Sequence, residues 1–164
     1  MKNCVFAGSF DPITIGHESI IEKCLNAYDK VLVVVGDNGN KKSVFTFAER
    51  VEIISFVYRD QPKVKVIDYS KVKQDYVSLL KREGVTEYVR GIRNQIDEDY
   101  ENAQIQQNKE IYPFIKTVFI SADNEYKDVS STLVRNKLAN KEDLTGVVSQ
   151  RAKEKIKQIL SKNN

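Results

Sequence analysis

One stretch, GSFDPITIGH (Gly8 to His17), gathers a glycine, a hydroxyl, an aspartate, a proline and the only histidine of the chain into ten residues. Gly8 lets the backbone turn and come close to a ligand, and Ser9 offers an N–H and a hydroxyl. Gly16 and His17 stand where a helix should begin, and a helix N-terminus favours anions through its open N–H groups and macrodipole. A histidine there can donate from its ring to a phosphate oxygen. The plainer alternative is a turn at Asp11-Pro12 followed by an exposed histidine in a first helical turn.

Three further groups have suitable chemistry. In RGIRN, Arg90 and Arg93 flank Gly91 and Ile92, and a guanidinium can grip phosphate with two parallel bonds; two solvated arginines are the alternative. In YKDVSSTLVR, the hydroxyls Ser130, Ser131 and Thr132 open an amphipathic segment, either as a phosphate cradle or with Ser130 as a simple N-cap. Lys41 and Lys42 stand in a Gly/Asn-rich loop, where lysines are commonly solvated. There is no GxGxxG fingerprint and no Walker lysine, which disfavours a hydride-transfer cofactor and a P-loop. Nor is there an HExxH, a second histidine for a metal site, or a cysteine placed with the histidine. Such a set suits charge stabilisation on a transferring phosphoryl centre, which needs little covalent chemistry from the protein.

Elements with the right alternation are present to position these residues. Nearly all-apolar β-branched runs predict strands at Cys4–Ala7, Lys30–Gly36, Val64–Asp68, Glu87–Gly91 and Thr117–Ser121, as in a parallel sheet buried on both faces. Helical spacing lies between them. Ile20, Ile21, Cys24, Leu25 and Tyr28 share one face, and a second helix opens on a Thr46–Glu49 capping box. A third covers Asp75 to Glu83 and stops at Gly84, and a fourth runs from about Asp97 to Ile111. Two more begin near Ser130 and Val147. This pattern predicts a doubly wound, Rossmann-like three-layer α/β fold on a five-stranded parallel sheet, with residues 1–164 as a single domain. In such a fold the loops after the strands share one edge, so the glycines, hydroxyls, cations and histidine collect on one rim.

Composition sets the outer limits. The 164 residues are 41% hydrophobic and 30% charged with a net charge of +3, ordinary for a soluble globular protein. Basic residues are interleaved with acids, so no nucleic-acid arm is expected. Cys4 and Cys24 match no metal spacing and read as two buried thiols of a reducing compartment. The first residues hold too short an apolar run for a signal peptide and no segment approaches a membrane span, so a cytoplasmic protein is expected.

G-S-F-D-P-x-T-x-G-H resembles the signature of the HxGH nucleotidyltransferase superfamily, with Thr14 at the first histidine position. Followed in order by Lys41, YVRGIRN, DEDYE and VSSTLVR, it resembles the bacterial phosphopantetheine adenylyltransferase family over nearly the whole chain. The resemblance implies transfer of AMP from ATP to 4′-phosphopantetheine, giving dephospho-coenzyme A and pyrophosphate. It implies catalytic roles for Ser9, His17, Lys41 and Arg93. ATP would meet Ser9, Phe10, His17, Gly91, Ile92, Arg93, Glu101 and the run Tyr126, Lys127, Asp128, Val129, Ser130, Ser131 and Thr132. Phosphopantetheine would meet Ser9, Lys41, Arg90 and, in the charged loop SKVKQDYV, Lys73. Mg²⁺ is implied with ATP, held chiefly by substrate oxygens and water, and the family is commonly hexameric. The rivals are a sister nucleotidyltransferase acting on nicotinate mononucleotide or glycerol 3-phosphate, whose relatives usually carry histidine at position 14, and a non-enzymatic ATP-binding module.

Overall fold

The structure, a computed structural model, describes residues 2–36, 42–92 and 113–163. The helix expected over Asp97 to Ile111, together with Lys41, Arg93 and Glu101, lies outside the described residues. Five strands, β1 (Asn3–Gly8), β2 (Lys30–Val35), β3 (Val64–Asp68), β4 (Val85–Ile92) and β5 (Lys116–Ser121), form one parallel sheet in the order β3-β2-β1-β4-β5. Among the described residues the α-helices are α1 (Ile15–Ala27), α2 (Phe47–Val57), α3 (Tyr69–Val72), α4 (Tyr76–Arg82), α5 (Ser131–Ala139) and α6 (Gln150–Lys162).

Contiguous apolar strands bury both faces, and alternate residues divide between two cores. Cys4, Phe6, Val31, Val33, Val35 and Val89 join a cluster with the buried sides of α1, α2 and α6. Val5, Leu32, Val34, Val85 and Tyr88 join another with Tyr76, Leu79 and Leu80 of α4. The sheet therefore has helices on both faces, three layers in all. Winding explains the division. The chain steps outward through α1 and α2 on one face, then reverses, and the next right-handed crossover must cover the other face.

Local signals place most boundaries. Thr46 and Glu49 form both bonds of the capping box, with Glu49 N–H on Thr46 Oγ1 (3.1 Å) and Thr46 N–H on Glu49 Oε1 (2.9 Å). Gly84 follows α4 in the left-handed region, φ +66°, where a side chain would be strained. β4 starts at Val85, two residues before the expected Glu87, because Val85 is buried beside Asn3 of β1. The segment after β3 reads as loop in the sequence; in the structure Asp68 accepts from Ser70 N–H and caps α3, and a 3-10 turn, Lys73–Asp75, leads into α4. The last helix starts at Gln150, with Ser149 as its cap, rather than near Val147. Val147 and Val148 are instead buried ahead of it.

At the end of the sheet away from the rim, Glu83 accepts from Lys30 (2.6 Å) and also pairs with Lys65. The hydrogen bond from Lys30, then that from Lys65, hold its carboxyl below the usual carboxylate range. A carboxyl depressed on folding stabilises above its unfolded pKa, about 4.3, and the gain is lost as pH falls through the folded value. Glu83→Gln is therefore expected to lower the melting temperature at pH 7 and to leave it nearly unchanged near pH 2–3, which thermal scans at the two pH values would check.

Candidate active site

β1 and β4 part company at the rim. Their pairing ends at Phe6 and Val89, yet β1 continues beside β2 to Gly8 and β4 continues beside β5 to Ile92. Ala7 and Gly8 on one side and Arg90, Gly91 and Ile92 on the other thus border a crevice at the point where strand order reverses. This is where open α/β sheets bind ligands.

The loop from Gly8 to Thr14 descends into that crevice. The left-handed backbone falls on Phe10 (φ +46°), whereas Gly8 does not have a positive φ. Gly8 is small for another reason: a Cβ there would come within 3.2 Å of the Phe10 ring. That ring is 1% exposed and meets Phe6 and His17 edge-on, at centroid distances of 5.4 and 5.0 Å. In this arrangement it positions His17 and presents no ring face to a ligand.

Thr14 is the N-cap of α1 and His17 its third residue. The Thr14 hydroxyl accepts from His17 N–H (3.3 Å), and Thr14 N–H donates to His17 Nδ1 (3.0 Å). This is a capping box in which histidine replaces the usual glutamate. The peptide N–H can only donate, so Nδ1 must be an acceptor. The neutral ring consequently carries its proton on Nε2 and offers a donor there.

The segment from Tyr126 onward packs beside this helix start. A Cβ at Gly16 would lie 3.8 Å from the carbonyl oxygens of both Tyr126 and Val129. Asp123 N–H donates to Ser19 Oγ (3.0 Å), tying the same segment to α1. The hydroxyls that left two readings open all have protein partners. Ser130 caps α5 by accepting from Leu133 N–H (3.1 Å), and Ser131 donates to the Pro12 carbonyl (2.8 Å). Thr132, exposed, accepts from Arg135 Nη2 (3.0 Å), while Arg135 Nη1 donates to the Asp11 carbonyl (2.9 Å). Ser130 and Thr132 accept in these bonds, so their hydroxyl protons, with the first-turn N–H groups ahead of Leu133, are what α5 can offer an anion. With α1, two helices begin side by side at the crevice with their positive ends together. Lys127 and Asp128 are exposed, and Tyr126 and Val129 half-buried.

On β4, Arg90 is half-buried, its guanidinium 4.4 Å from the Tyr88 ring. Gly91 lets α1 approach the sheet, since a Cβ there would stand 2.5 Å from Ile20 Cδ1. Lys73 is exposed beyond β3, the outer strand, and β2 stands between β3 and β1. The structure thus brings Ser9, His17, Arg90, Gly91, Ile92 and the 126–132 segment around one crevice, with Lys73 at the far end of the rim.

Sequence reasoning missed Asp11, Arg50 and Arg135 as organisers of this loop. Asp11 read as part of a turn, yet it is wholly buried, and Arg50 is 2% exposed. A signal existed for Arg50: it falls in register with Phe47, Ile54 and Val57, on the inward face of α2.

A switch-point crevice with a capped histidine and two helix N-termini defines a phosphate-handling α/β transferase, and the comparisons agree. A sequence profile of the cytidylyltransferase-like family matches residues 5–137, and the chain belongs to that family. Within it, the chain belongs with the phosphopantetheine adenylyltransferases. It is 34% identical over 156 residues to that of Dictyoglomus thermophilum, covering 95% of this chain and 93% of the relative. It is 33% identical over 150 residues to that of Bacteroides thetaiotaomicron (92% and 97%) and 39% over 131 residues to that of Leptospira biflexa (80% of each). In fold it is similar to a crystal structure assigned as a nicotinate-nucleotide adenylyltransferase from Vibrio parahaemolyticus, with a TM-score of 0.72 over 96% of this chain and 93% of that one, at 21% identity.

Proposed function

We propose that the protein transfers the adenylyl group of ATP to 4′-phosphopantetheine, giving dephospho-coenzyme A and pyrophosphate in coenzyme A synthesis. The observation that carries the chemistry is the convergence of His17 and the N-termini of α1 and α5 on the β1/β4 crevice. The names of the relatives supply the acceptor.

An oxygen of the acceptor's phosphate attacks the α-phosphorus of ATP. A new P–O bond forms as the bond from that phosphorus to the α,β-bridging oxygen breaks, and its electron pair leaves with pyrophosphate. The substrate supplies the nucleophile, so the protein need only align and neutralise. His17 Nε2–H stabilises charge on the α-phosphate oxygens, and the N–H groups that open α5 hold the leaving phosphates. Arg90 and the main chain at Ser9 face the acceptor's phosphate. By the family's motifs, Lys41 holds the incoming phosphate of the pantetheine substrate, while Arg93 and Glu101 hold ATP. Among the described residues no three His, Cys, Asp or Glu side chains gather to hold a metal. Mg²⁺ is implied with ATP; it would be held chiefly by the substrate's phosphate oxygens and water and would neutralise phosphate charge there. The family's hexamer and a cytoplasmic setting belong to the same proposal; among the described residues, no helix is long and apolar enough to cross a membrane.

The test is pyrophosphate release from Mg-ATP with and without 4′-phosphopantetheine, with the product weighed by mass spectrometry. Release that requires phosphopantetheine and yields dephospho-coenzyme A is expected. ATP binding with no such release would refute the acceptor and turn attention to nicotinate mononucleotide and glycerol 3-phosphate.

A further inference from the structure

Two buried groups hold the first rim loop against the turn that precedes α2. From α2, Arg50 sends Nη1 to the carbonyls of Ser9 (2.7 Å) and Gly36 (3.0 Å). Its Nε donates to the carbonyls of Phe45 (3.2 Å) and Thr46 (3.3 Å), and the guanidinium lies 4.4 Å from the Phe47 ring. In the opposite direction, the Asp11 carboxylate accepts Val44 N–H and Phe45 N–H, each at 2.9 Å. The main chain completes the set, with Gly36 N–H on the Gly8 carbonyl at 2.7 Å. The end of β1, the end of β2 and the entrance to α2 are thereby joined at one place.

We propose that Arg50 and Asp11 are positioning residues for the transfer, fixing Ser9 and the end of β2 in the register that aligns one phosphate with the other. The inference rests on the proposed function for the identity of the phosphates. Its physical content is geometric. A planar guanidinium can hold carbonyls just beyond the ends of two strands with one nitrogen and a turn with another, whereas an ammonium has a single nitrogen to share. Asp11 gives two peptide donors a charged acceptor inside the protein, where leaving them unpaired is costly. The first turns of α1 and α5, which carry ATP in this reading, keep their own caps at Thr14 and Ser130. Disturbing the clasp should therefore misalign the attack while leaving ATP held, and a displacement on the order of 1 Å can cost about a hundredfold in rate.

The test uses Arg50→Lys, which retains the charge and loses the fork, and Asp11→Asn, which retains the shape and turns one acceptor into a donor. Circular dichroism first establishes that each is folded. Expected is a fall in kcat of about tenfold to a hundredfold, with the equilibrium Kd for ATP moved by less than about fivefold. Amide exchange at Gly36 in Arg50→Lys and at Val44 and Phe45 in Asp11→Asn should accelerate by about tenfold or more, a readout that needs no acceptor. Unchanged exchange, or unchanged kcat where wild type turns over, would overturn the proposal. So would failure of both variants to fold, which would assign the pair to folding. A wild type inactive with phosphopantetheine refutes the acceptor, and exchange then judges the clasp by itself.

Discussion

Replacing His17 with alanine should lower kcat by roughly 10²–10³-fold, the usual effect of removing one preorganised donor from a developing oxyanion. The Kd for ATP should shift by less than about tenfold, because the helix N-termini that hold the phosphates remain. The reason lies in how the ring is held. Thr14 N–H fixes Nδ1 as an acceptor at 3.0 Å, and the Phe10 ring packs across it with centroids 5.0 Å apart, so Nε2–H reaches the reaction already oriented. A donor that spends nothing on reorganisation matters most when charge grows on the α-phosphate, which places its effect in kcat. His17→Gln puts a carboxamide donor near the same place and should recover part of the loss. Steady-state kinetics with calorimetric ATP binding on the three proteins would decide. Equal losses in binding and turnover would make His17 a ground-state ligand, and full activity in His17→Ala would remove it from the chemistry.

The sequence was most readable where one physical requirement dominated. Strands sheathed on both faces must be apolar at every position, so KVLVVV could be read as β2 at once, and the buried alternation of Val31, Leu32 and Val33 between two cores follows. Caps with their own chemistry, Thr46 with Glu49 and Gly84 after α4, were equally plain. The rim could be foreseen because topology, not spacing in the chain, collects it. What escaped was the network beneath the rim. Asp11 and Arg50 are charged, and charge reads as surface until the fold shows peptide groups that need those partners. The need for glycine was also misplaced: turn freedom explained Gly8 in the sequence, while in the fold its missing side chain makes room for Phe10. Likewise Gly91, which stands between two arginines in the sequence, is small because α1 presses Ile20 against it. The Gly91–Ile20 contact and the bonds of Asp11 and Arg50 join residues far apart in the chain, and no local pattern encodes them.

Phe10 joins stability to chemistry most closely, and Phe10→Ala should cost about 3–5 kcal/mol of folding free energy. The ring is 1% exposed between Gly8, Phe6 and His17, and its removal leaves a hole that the paired strand ends cannot easily close. For a domain near this size, about 2–4 °C per kcal/mol puts the expected drop in melting temperature at roughly 6–20 °C. Part of the loss is the edge-on contact with the histidine, since aromatic pairs contribute about 0.5–1.5 kcal/mol beyond burial. Catalysis should suffer separately. At a temperature where Phe10→Ala is fully folded, its kcat should still fall, because His17 retains the Thr14 bond but loses the wall that stops its tilt. Phe10→Leu separates the two effects: it refills most of the volume and should restore most of the stability, but a branched aliphatic group cannot reproduce the ring edge, so kcat should stay below wild type. Thermal unfolding and turnover measured on both variants check this. If Phe10→Leu recovered stability and rate together, the ring would be acting as core volume alone, and the orientation of His17 would have to rest on the capping box.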